Sequence, residues 1–597
     1  MIVDRRKEKM KRLIVCLLGG ILCLTGCAKN DTASTETKSS GFTAGTYTGK
    51  GTGFHVDVIV DVTVDDTKIT DIQVTEQQET LGIGQGMDTT AVEVMPQRII
   101  DAQGLGVDVV TGATISSRAV VSAVTDALTQ AGADIDALKT VTSEKKAEDM
   151  TYDADVVVVG GGGAGLAAAI EASKAGASVI VVEKQSIVGG ATTRSGGKLM
   201  AAGTDLQIAA GIDDDADKMY DYLLGVGGDY IDTDKLSAFC DNALDTYNWL
   251  ETDLNVPMHD VEPIHSSITP NRVTNTLGGG GMTSGFGGNI IVPMYNEAVK
   301  DSVQFVYDTT VSEITMDGST PTGCAGTKAD GSKITVNAKS VIIATGGYAA
   351  NKDLVKSYDI SFDSYNTSVP AGNVGDGITM LKAIGAETED YPAVQVVYTS
   401  LTTGVGINEE AGLILSEQGE RVANEFTYQY HVGDALAKTN SQKGWYIATA
   451  NDPSPYVQYA MTLDTTLSAG SIEELAGLMN VDATTLQNTI DHYNELAASG
   501  VDSDFGKPAE YMYPVEGDTY YAIELDPCVT VTFSGIVTNT NSQVLNEQGQ
   551  PIEGVYAAGE VAFPGLFGTE YPGCGVAITG SIYFGRVAGQ QAAEFAK

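Results

Sequence analysis

The residues whose spacing most plainly encodes chemistry lie a quarter of the way along the chain. Gly160-x-Gly162-x-x-Gly165 follows the run Val156-Val157-Val158-Val159 and opens an alanine-rich stretch. Glycines so placed permit a tight turn and let backbone N–H groups approach a pyrophosphate at a helix N-terminus, whose dipole favours the anion. Glu183 follows 18 residues past Gly165, about where a carboxylate holds an adenosine ribose. A second loop of small residues, Gly189-Gly190-Ala191-Thr192-Thr193-Arg194-Ser195-Gly196-Gly197, suits flat contact with an isoalloxazine, so non-covalent FAD is expected rather than NAD. The seven cysteines include no Cys-x-x-Cys pair, which removes zinc ribbons and c-type haem attachment, and no metal site is expected.

Such a loop needs a buried strand over residues 155–159, a helix over 164–175 and a second strand over 178–182. Ahead of it, residues 44–137 change pattern. A β-branched run at 55–64, a turn at Asp65-Asp66 and an alternating run at 69–74 predict a hairpin, with helices near 89–102 and 117–131. Between those helices, Asp108-Val109-Val110-Thr111-Gly112-Ala113-Thr114 offers threonine hydroxyls beside small residues, and could also cap the helix near Ser117. The chain begins with six basic residues, Arg5 to Arg12, and an apolar run at 13–24. That run is shorter than the about 20 residues a bilayer needs, and fits a signal-peptide core at 1–26. Residues 27–43 read as a polar tether and 138–152 as a charged linker.

The 597 residues imply about three or four domains. With 35 Lys+Arg against 78 Asp+Glu, the formal net charge is −43, which argues against nucleic acid because a phosphate backbone is held by clustered cations.

Several of these motifs resemble known families. Leu24-Thr25-Gly26-Cys27 resembles the lipobox of bacterial lipoproteins, which implies lipidation of Cys27 and anchoring on the extracytoplasmic face of the cell membrane. Asp108 to Thr114, with Glu79-Thr80-Leu81-Gly82-Ile83-Gly84 upstream, resembles the signature of the FMN-binding domain of membrane-linked electron-transfer proteins. That resemblance implies FMN joined covalently to Thr114, a flavin transferase for maturation and a membrane-bound electron donor. Val341 to Gly347 and Val555-Tyr556-Ala557-Ala558-Gly559-Glu560, together with the glycine loops, resemble the flavoprotein family of fumarate reductases, urocanate reductases and 3-ketosteroid dehydrogenases. The implied architecture is mixed α/β and α+β: a small FMN-binding α+β domain, then a Rossmann-like FAD domain (GR2-type) at 153–393 and 530–597, with a cap inserted at 394–529. The implied FAD contacts are Gly160, Gly162, Gly163, Ala164, Gly165, Glu183, Lys184, Gly190, Ala191, Thr192, Ser195, Gly196, Gly197, Ala344, Thr345, Gly346, Gly347, Gly377, Glu560, Ala577 and Ile578.

The cap bears on the substrate. In soluble fumarate reductases a cap Arg delivers the proton after an Asn-Glu-x-Thr-x stretch. Here Asn424-Glu425-Phe426-Thr427-Tyr428 is followed by Gln429, which is no useful proton donor. Arg421 is the one arginine of 394–529, and eleven tyrosines share that stretch. Tyr571-Pro572-Gly573-Cys574-Gly575 is similar to the Tyr-Pro-Gly-x-Gly of 3-ketosteroid dehydrogenases. The resemblance implies that the Tyr571 hydroxyl and the Gly575 N–H hold a ketone oxygen, with Tyr428 or Tyr430 handling the proton and His431 a further candidate. The resulting expectation is reduction of an α,β-unsaturated, small, neutral ketone of 3-oxo-steroid type. The alternatives are an unsaturated carboxylate of arylacrylate, urocanate or fumarate type, the same site run as a dehydrogenase, or a redox carrier without substrate.

Overall fold

The computed structural model describes residues 41–142, 147–264, 268–276, 286–357, 365–390, 394–400, 402–403, 411–439, 441, 443–568 and 570–597; for Gln429 and Tyr430 it describes the backbone alone. The expected signal peptide and Cys27 lie outside the described residues.

The first domain is a three-stranded antiparallel sheet, β1 (Gly45–Thr52), β2 (Asp57–Val64) and β3 (Ile69–Glu76), in that order. Helices α1 (Ala91–Ala102) and α2 (Thr114–Gln130) cover one face. Strand β2 alternates with period two: Val58, Val60, Val62 and Val64 are buried while the residues between face outward. Asp65 closes the β2–β3 turn by accepting from the N–H groups of Thr67 and Lys68, both at 2.7 Å. Strand β1 falls inside the expected first domain but was not itself predicted, because the glycine- and threonine-rich residues 45–52 show no apolar alternation. Its glycines are required by packing: a Cβ on Gly49 would stand 2.0 Å from the Ala123 carbonyl oxygen of α2, and one on Gly51 2.1 Å from that of Ala119. Helix α2 also starts a turn earlier than Ser117. Ser117 Oγ donates to the Ala113 carbonyl and accepts from Val110 N–H, so it serves inside the first turn and Thr114 is the first helical residue.

The second domain is built on β4 (Met150–Val159), α3 (Gly163–Lys174), β5 (Val179–Val182), α4 (Gly190–Arg194), α5 (Gly288–Lys300), β6 (Gln304–Val306), β7 (Thr309–Asp317), β8 (Thr320–Lys328) and β9 (Lys333–Ile343). The sheet order is β7-β8-β9-β4-β5-β6. The first half of β9 forms a hairpin with β8, and its last residues pair in parallel with a late strand, Val341↔Val555 to Ile343↔Ala557. β4, β5 and the end of β9 are valine- and isoleucine-rich and buried, as a parallel sheet covered on both faces requires. Their C-terminal ends deliver Gly160, Glu183 and Ala344 to one crevice, the usual ligand position of an open α/β sheet.

A second sheet is inserted between β9 and the chain's end. Its main path is β10 (Val394–Thr399), β11 (Leu413–Ser416), β12 (Gly444–Thr449) and the long β13 (Tyr520–Thr532), ordered β10-β13-β12-β11, with the short strand Leu467–Ala469 also paired to β13 and α6 (Gln429–Lys438) beside it. β13 pairs with β12 through its first half and with β10 through its second, so one strand runs from this sheet to the crevice of the other. The late strand β14 (Pro551–Ala557) and helix α7 (Val576–Ala596) complete the second domain, with α7 packed on α3. Packing that close needs Gly585 and Gly589, whose added Cβ atoms would lie 2.3 and 2.2 Å from the carbonyl oxygens of Ala164 and Ala168.

Candidate active site

A cavity of about 1160 Å³ extends from the crevice into the inserted sheet. One end is the glycine cradle. Gly160 has φ +104°, a left-handed conformation that side chains rarely adopt, and a Cβ there would sit 2.4 Å from the Ala344 carbonyl oxygen. Glu183 accepts from Gly161 N–H at 2.7 Å and Gln185 N–H at 2.8 Å; burial raises its pKa. Glu560 accepts from both the N–H and the hydroxyl of Thr532 at 2.8 Å, and burial raises its pKa as well. Thr532 is the last residue of β13, so the inserted sheet is tied to this acid. The segment after Glu560 is held by buried Lys235, whose ammonium donates to Thr538 Oγ1, Ala562 O and Pro564 O at 3.0, 2.9 and 2.8 Å. Burial lowers that lysine's pKa to about 8.

These residues fit a flavin dinucleotide. The cradle glycines Gly162 and Gly190 meet nothing closer than 3.5 Å at an added Cβ, so the backbone faces open space. Thr345 lines the cavity with a buried Oγ1 that has no partner among the described residues. Of the residues expected to touch FAD, Gly165, Gly197, Gly347 and Gly377 stand behind the lining. A Cβ at each would strike Gly160 O, Phe286 C and O, Thr532 Oγ1 and Thr345 Oγ1 respectively, so they act by close packing. The other expected FAD contacts line the cavity.

The other end gathers Tyr428, Tyr571, Cys574 and Gly575 with Tyr398, Tyr456, Tyr459, Lys198 and Glu262. The Tyr571 ring lies parallel to Phe533 with centroids 6.2 Å apart and edge-on to Phe567 at 6.0 Å. Its hydroxyl accepts from Ala577 N–H at 3.4 Å in the first turn of α7. Burial pushes its pKa up, so it remains a neutral donor. The turn is braced from outside: Tyr222 donates to the Pro572 carbonyl and lies 5.2 Å beneath the Arg272 guanidinium. Arg272 is fully buried and forms a two-bond pair with Asp214, at 3.0 and 2.7 Å.

Tyr428 precedes α6, buried, with its hydroxyl 3.6 Å from Cys574 Sγ. Burial, and then the neighbouring Cys574 and Tyr571, raise its pKa well above the ordinary tyrosine value. The segment leading to it is fixed by Arg421, which donates to Glu425 at 2.9 and 2.7 Å and to Asp502 at 2.9 Å twice. That arginine is spent on structure and does not line the cavity. The side chain of Tyr430 lies outside the described residues, and His431 is not among the cavity's lining.

The first domain reaches the same cavity. Phe54 and His55, at the β1–β2 connection, line it. Phe54 N–H donates to buried Glu79 at 2.8 Å, and Ser116 Oγ donates to the other oxygen of that carboxylate. Thr114 is half-buried at the start of α2, where a phosphoryl group would face the positive end of a 17-residue helix. Beside it Thr111 N–H donates to Ser186 Oγ at 3.1 Å, and Arg194 donates to Gly112 O at 3.3 Å. Lys198, Glu262, Tyr222 and Arg272 were missed by sequence reasoning. Lys198 alone carried a signal, as the residue directly after the Ser195-Gly196-Gly197 loop.

Comparison with known proteins agrees with this layout. Residues 155–578 match the FAD binding domain model and residues 53–129 the FMN-binding domain model. The chain is 31% identical over 611 residues to a urocanate reductase of Eggerthella lenta, covering 98% of each. Among solved structures it is similar to the open conformation of a flavocytochrome c3 fumarate reductase, with 27% identity, TM-score 0.66, and 77% and 84% of the two chains covered. It is also similar to 3-ketosteroid-Δ4-(5α)-dehydrogenase of Rhodococcus jostii RHA1, with 26% identity, TM-score 0.61, and 74% and 97% covered.

Proposed function

Since this chain belongs to the flavoprotein family built on the FAD binding domain, and carries an FMN-binding domain before it, we propose that it reduces an alkene conjugated to one carboxylate and bearing a flat, apolar substituent. It is an FAD-dependent oxidoreductase acting on CH–CH bonds, a reductase of unsaturated substrates. The observation that carries the narrower reading is the composition of the cavity's far end. Tyrosines supply flat apolar walls and two hydroxyls, and Arg421, the arginine of the inserted sheet, is turned away into an ion-pair cluster. A dicarboxylate would want two cationic clamps there. The urocanate reductase supports the same reading, because urocanate is an acrylate carrying a flat ring.

Reduced FAD held by the glycine cradle, Glu183 and Glu560 would supply the hydride for the β-carbon, and FMN, for which Thr114 is the proposed attachment residue, would resupply its electrons. The protein's own part is to position and to manage charge. Tyr571 and the N-terminus of α7 face the oxygen on which negative charge grows, and interactions that strengthen as charge develops lower the barrier. Tyr428 is the proposed proton donor to the α-carbon. The lipobox-like Leu24-Thr25-Gly26-Cys27 supports anchoring through Cys27 outside the cytoplasmic membrane, with a membrane-bound electron donor.

A second reading is an enone, supported by the likeness to the ketosteroid dehydrogenase and by the Tyr571–Gly575 pair. An anaerobic assay separates them. The holoprotein is reduced with a viologen, and flavin reoxidation is followed on adding a cinnamate, the corresponding enone, or fumarate. Fastest reoxidation by the cinnamate is expected; reoxidation by the enone or by fumarate alone would overturn the carboxylate reading.

A further inference from the structure

Lys198 opens the short strand Lys198–Met200, one residue after the Gly196-Gly197 turn. That strand is anchored three ways. It pairs with Val273–Asn275, its Met200 N–H donates to Thr579 Oγ1 of α7 at 3.0 Å, and Gly575 packs on it so closely that a Cβ would lie 2.5 Å from Leu199 C. The base of the lysine is therefore set rigidly beside the Tyr571–Gly575 turn. Its ammonium forms an ion pair with Glu262, and the strand Val261–Glu262 pairs with Val273 and Thr274 in the same small sheet. Both residues line the cavity, and their side chains are about one-third solvent-exposed, 35% and 31%. Burial lowers the lysine's hold on its proton, but Cys574 and Glu262 more than restore it, so it stays charged.

Among the described residues, two other lysine and arginine side chains reach the cavity, and both are committed elsewhere. Lys184 pairs with Asp376 at 2.7 Å near Glu183, and Arg194 donates to Gly112 O at the seam with the first domain. Lys198 is thus the charged donor at the tyrosine end among the described residues. An ammonium carries three N–H donors; Glu262 engages it from one side, and no other acceptor among the described residues meets it. A carboxylate at the start of α7 would meet the helix N-terminus, the Tyr571 hydroxyl and this ammonium together, whereas a neutral ketone gains little from the third. With Glu262 beside it the ammonium has one positive charge to share, so a first substrate carboxylate already makes the group net negative and a second is repelled.

We propose that Lys198 is the contact that selects a single carboxylate on the substrate, and that Glu262 restricts the site to one such group. This rests on the cavity being the site of alkene reduction, and its test needs no turnover. Oxidised holoprotein is titrated with 3-phenylpropanoate, its neutral counterpart 4-phenylbutan-2-one, and succinate, each read from the perturbed flavin absorbance. Lys198→Met should weaken phenylpropanoate binding by about 10–10²-fold, the range for a hydrogen bond to a charged group, and leave the ketone unchanged. Glu262→Gln should tighten phenylpropanoate and admit succinate, a change of opposite sign that misfolding cannot mimic. Loss of both ligands in Lys198→Met with full flavin content, unchanged acid binding in that variant, or no acid binding by the wild type would each overturn the assignment. Lys198-dependent acid binding in a protein that reduces no cinnamate would support the assignment while overturning the proposed reaction.

Discussion

At the scale of single residues, three hydroxyls carry the chemistry proposed for this chain. Tyr571→Phe keeps the packing between Phe533 and Phe567 but removes a donor at the start of α7. Turnover should fall by about 10²–10³-fold with little change in apparent affinity, the pattern for an interaction made mainly in the transition state. Tyr428→Phe should cost about 10²–10⁴-fold if that hydroxyl gives the proton, with FAD content unchanged; steady-state rates with reduced viologen check both variants. A full rate in Tyr428→Phe would move the role to another group. Thr114→Val removes the hydroxyl at the head of α2 and leaves its helical start intact. Denatured protein should lose in-gel flavin fluorescence while native protein keeps FAD, and persistent fluorescence would place the attachment elsewhere.

At the scale of elements, the fold relies on glycine where two backbones must nearly touch. β1 lies against α2 through Gly49 and Gly51, and α7 lies against α3 through Gly585 and Gly589. Gly49→Ala would force a methyl to within 2.0 Å of a carbonyl oxygen, so strand and helix must part. The first domain should lose about 1–3 kcal/mol, the usual cost of overpacking. Calorimetry on the full chain should show its transition moving down while the transition carrying FAD stays in place. An unmoved first transition would mean that β1 does not depend on this contact. A similar economy of elements governs the site: β13 pairs within the inserted sheet and, through its last residue Thr532, holds Glu560, so cavity wall and that acid are tied to one strand.

At the scale of the whole molecule, the acidic excess makes acid stability a question of a few committed carboxylates. Burial pushes Asp502 up, but the Arg421 pair and backbone N–H donors outweigh it and hold the pKa at about 2. Lys339 first, then Ser178, hold Asp155 at about 2 on the edge between β4 and β9. A carboxylate whose pKa is lowered by folding contributes stability that is fully present above its unfolded value of 3.8 and is lost as pH falls toward 2. Melting temperature should therefore drop steeply between about pH 4 and pH 2. In Asp502→Asn, which already lacks one of these groups, the drop should be shallower. Equal slopes in the two proteins would show that Asp502 is not part of the acid transition. The two flavin domains meet along one seam, where Gly288 admits the Leu81 carbonyl and Thr111 meets Ser186.

The sequence alone determined the parts whose chemistry is local. A turn that must bring backbone to a pyrophosphate needs Gly160, Gly162 and Gly165 within six residues, and a strand with one buried face shows its valines at alternate positions, as β2 does. The family, the two flavin-binding domains and the acids Glu183 and Glu560 were legible on those grounds. What only the tertiary structure decided depends on groups distant in the chain. Lys198 is marked in the sequence only by following the second glycine loop, and its place is set when Met200 and Thr579, 379 positions apart, lock its strand beside the Tyr571 turn. Gly49 and Gly51 carry no sequence pattern of their own and matter only because α2 lies across them, and Arg421, the one arginine of 394–529 in the sequence, is seen to be committed only when Glu425 and Asp502 close on it. The proposed preference for a carboxylate over a ketone turns on that same difference, because a cation's availability is set by what folding places around it and not by its position in the chain.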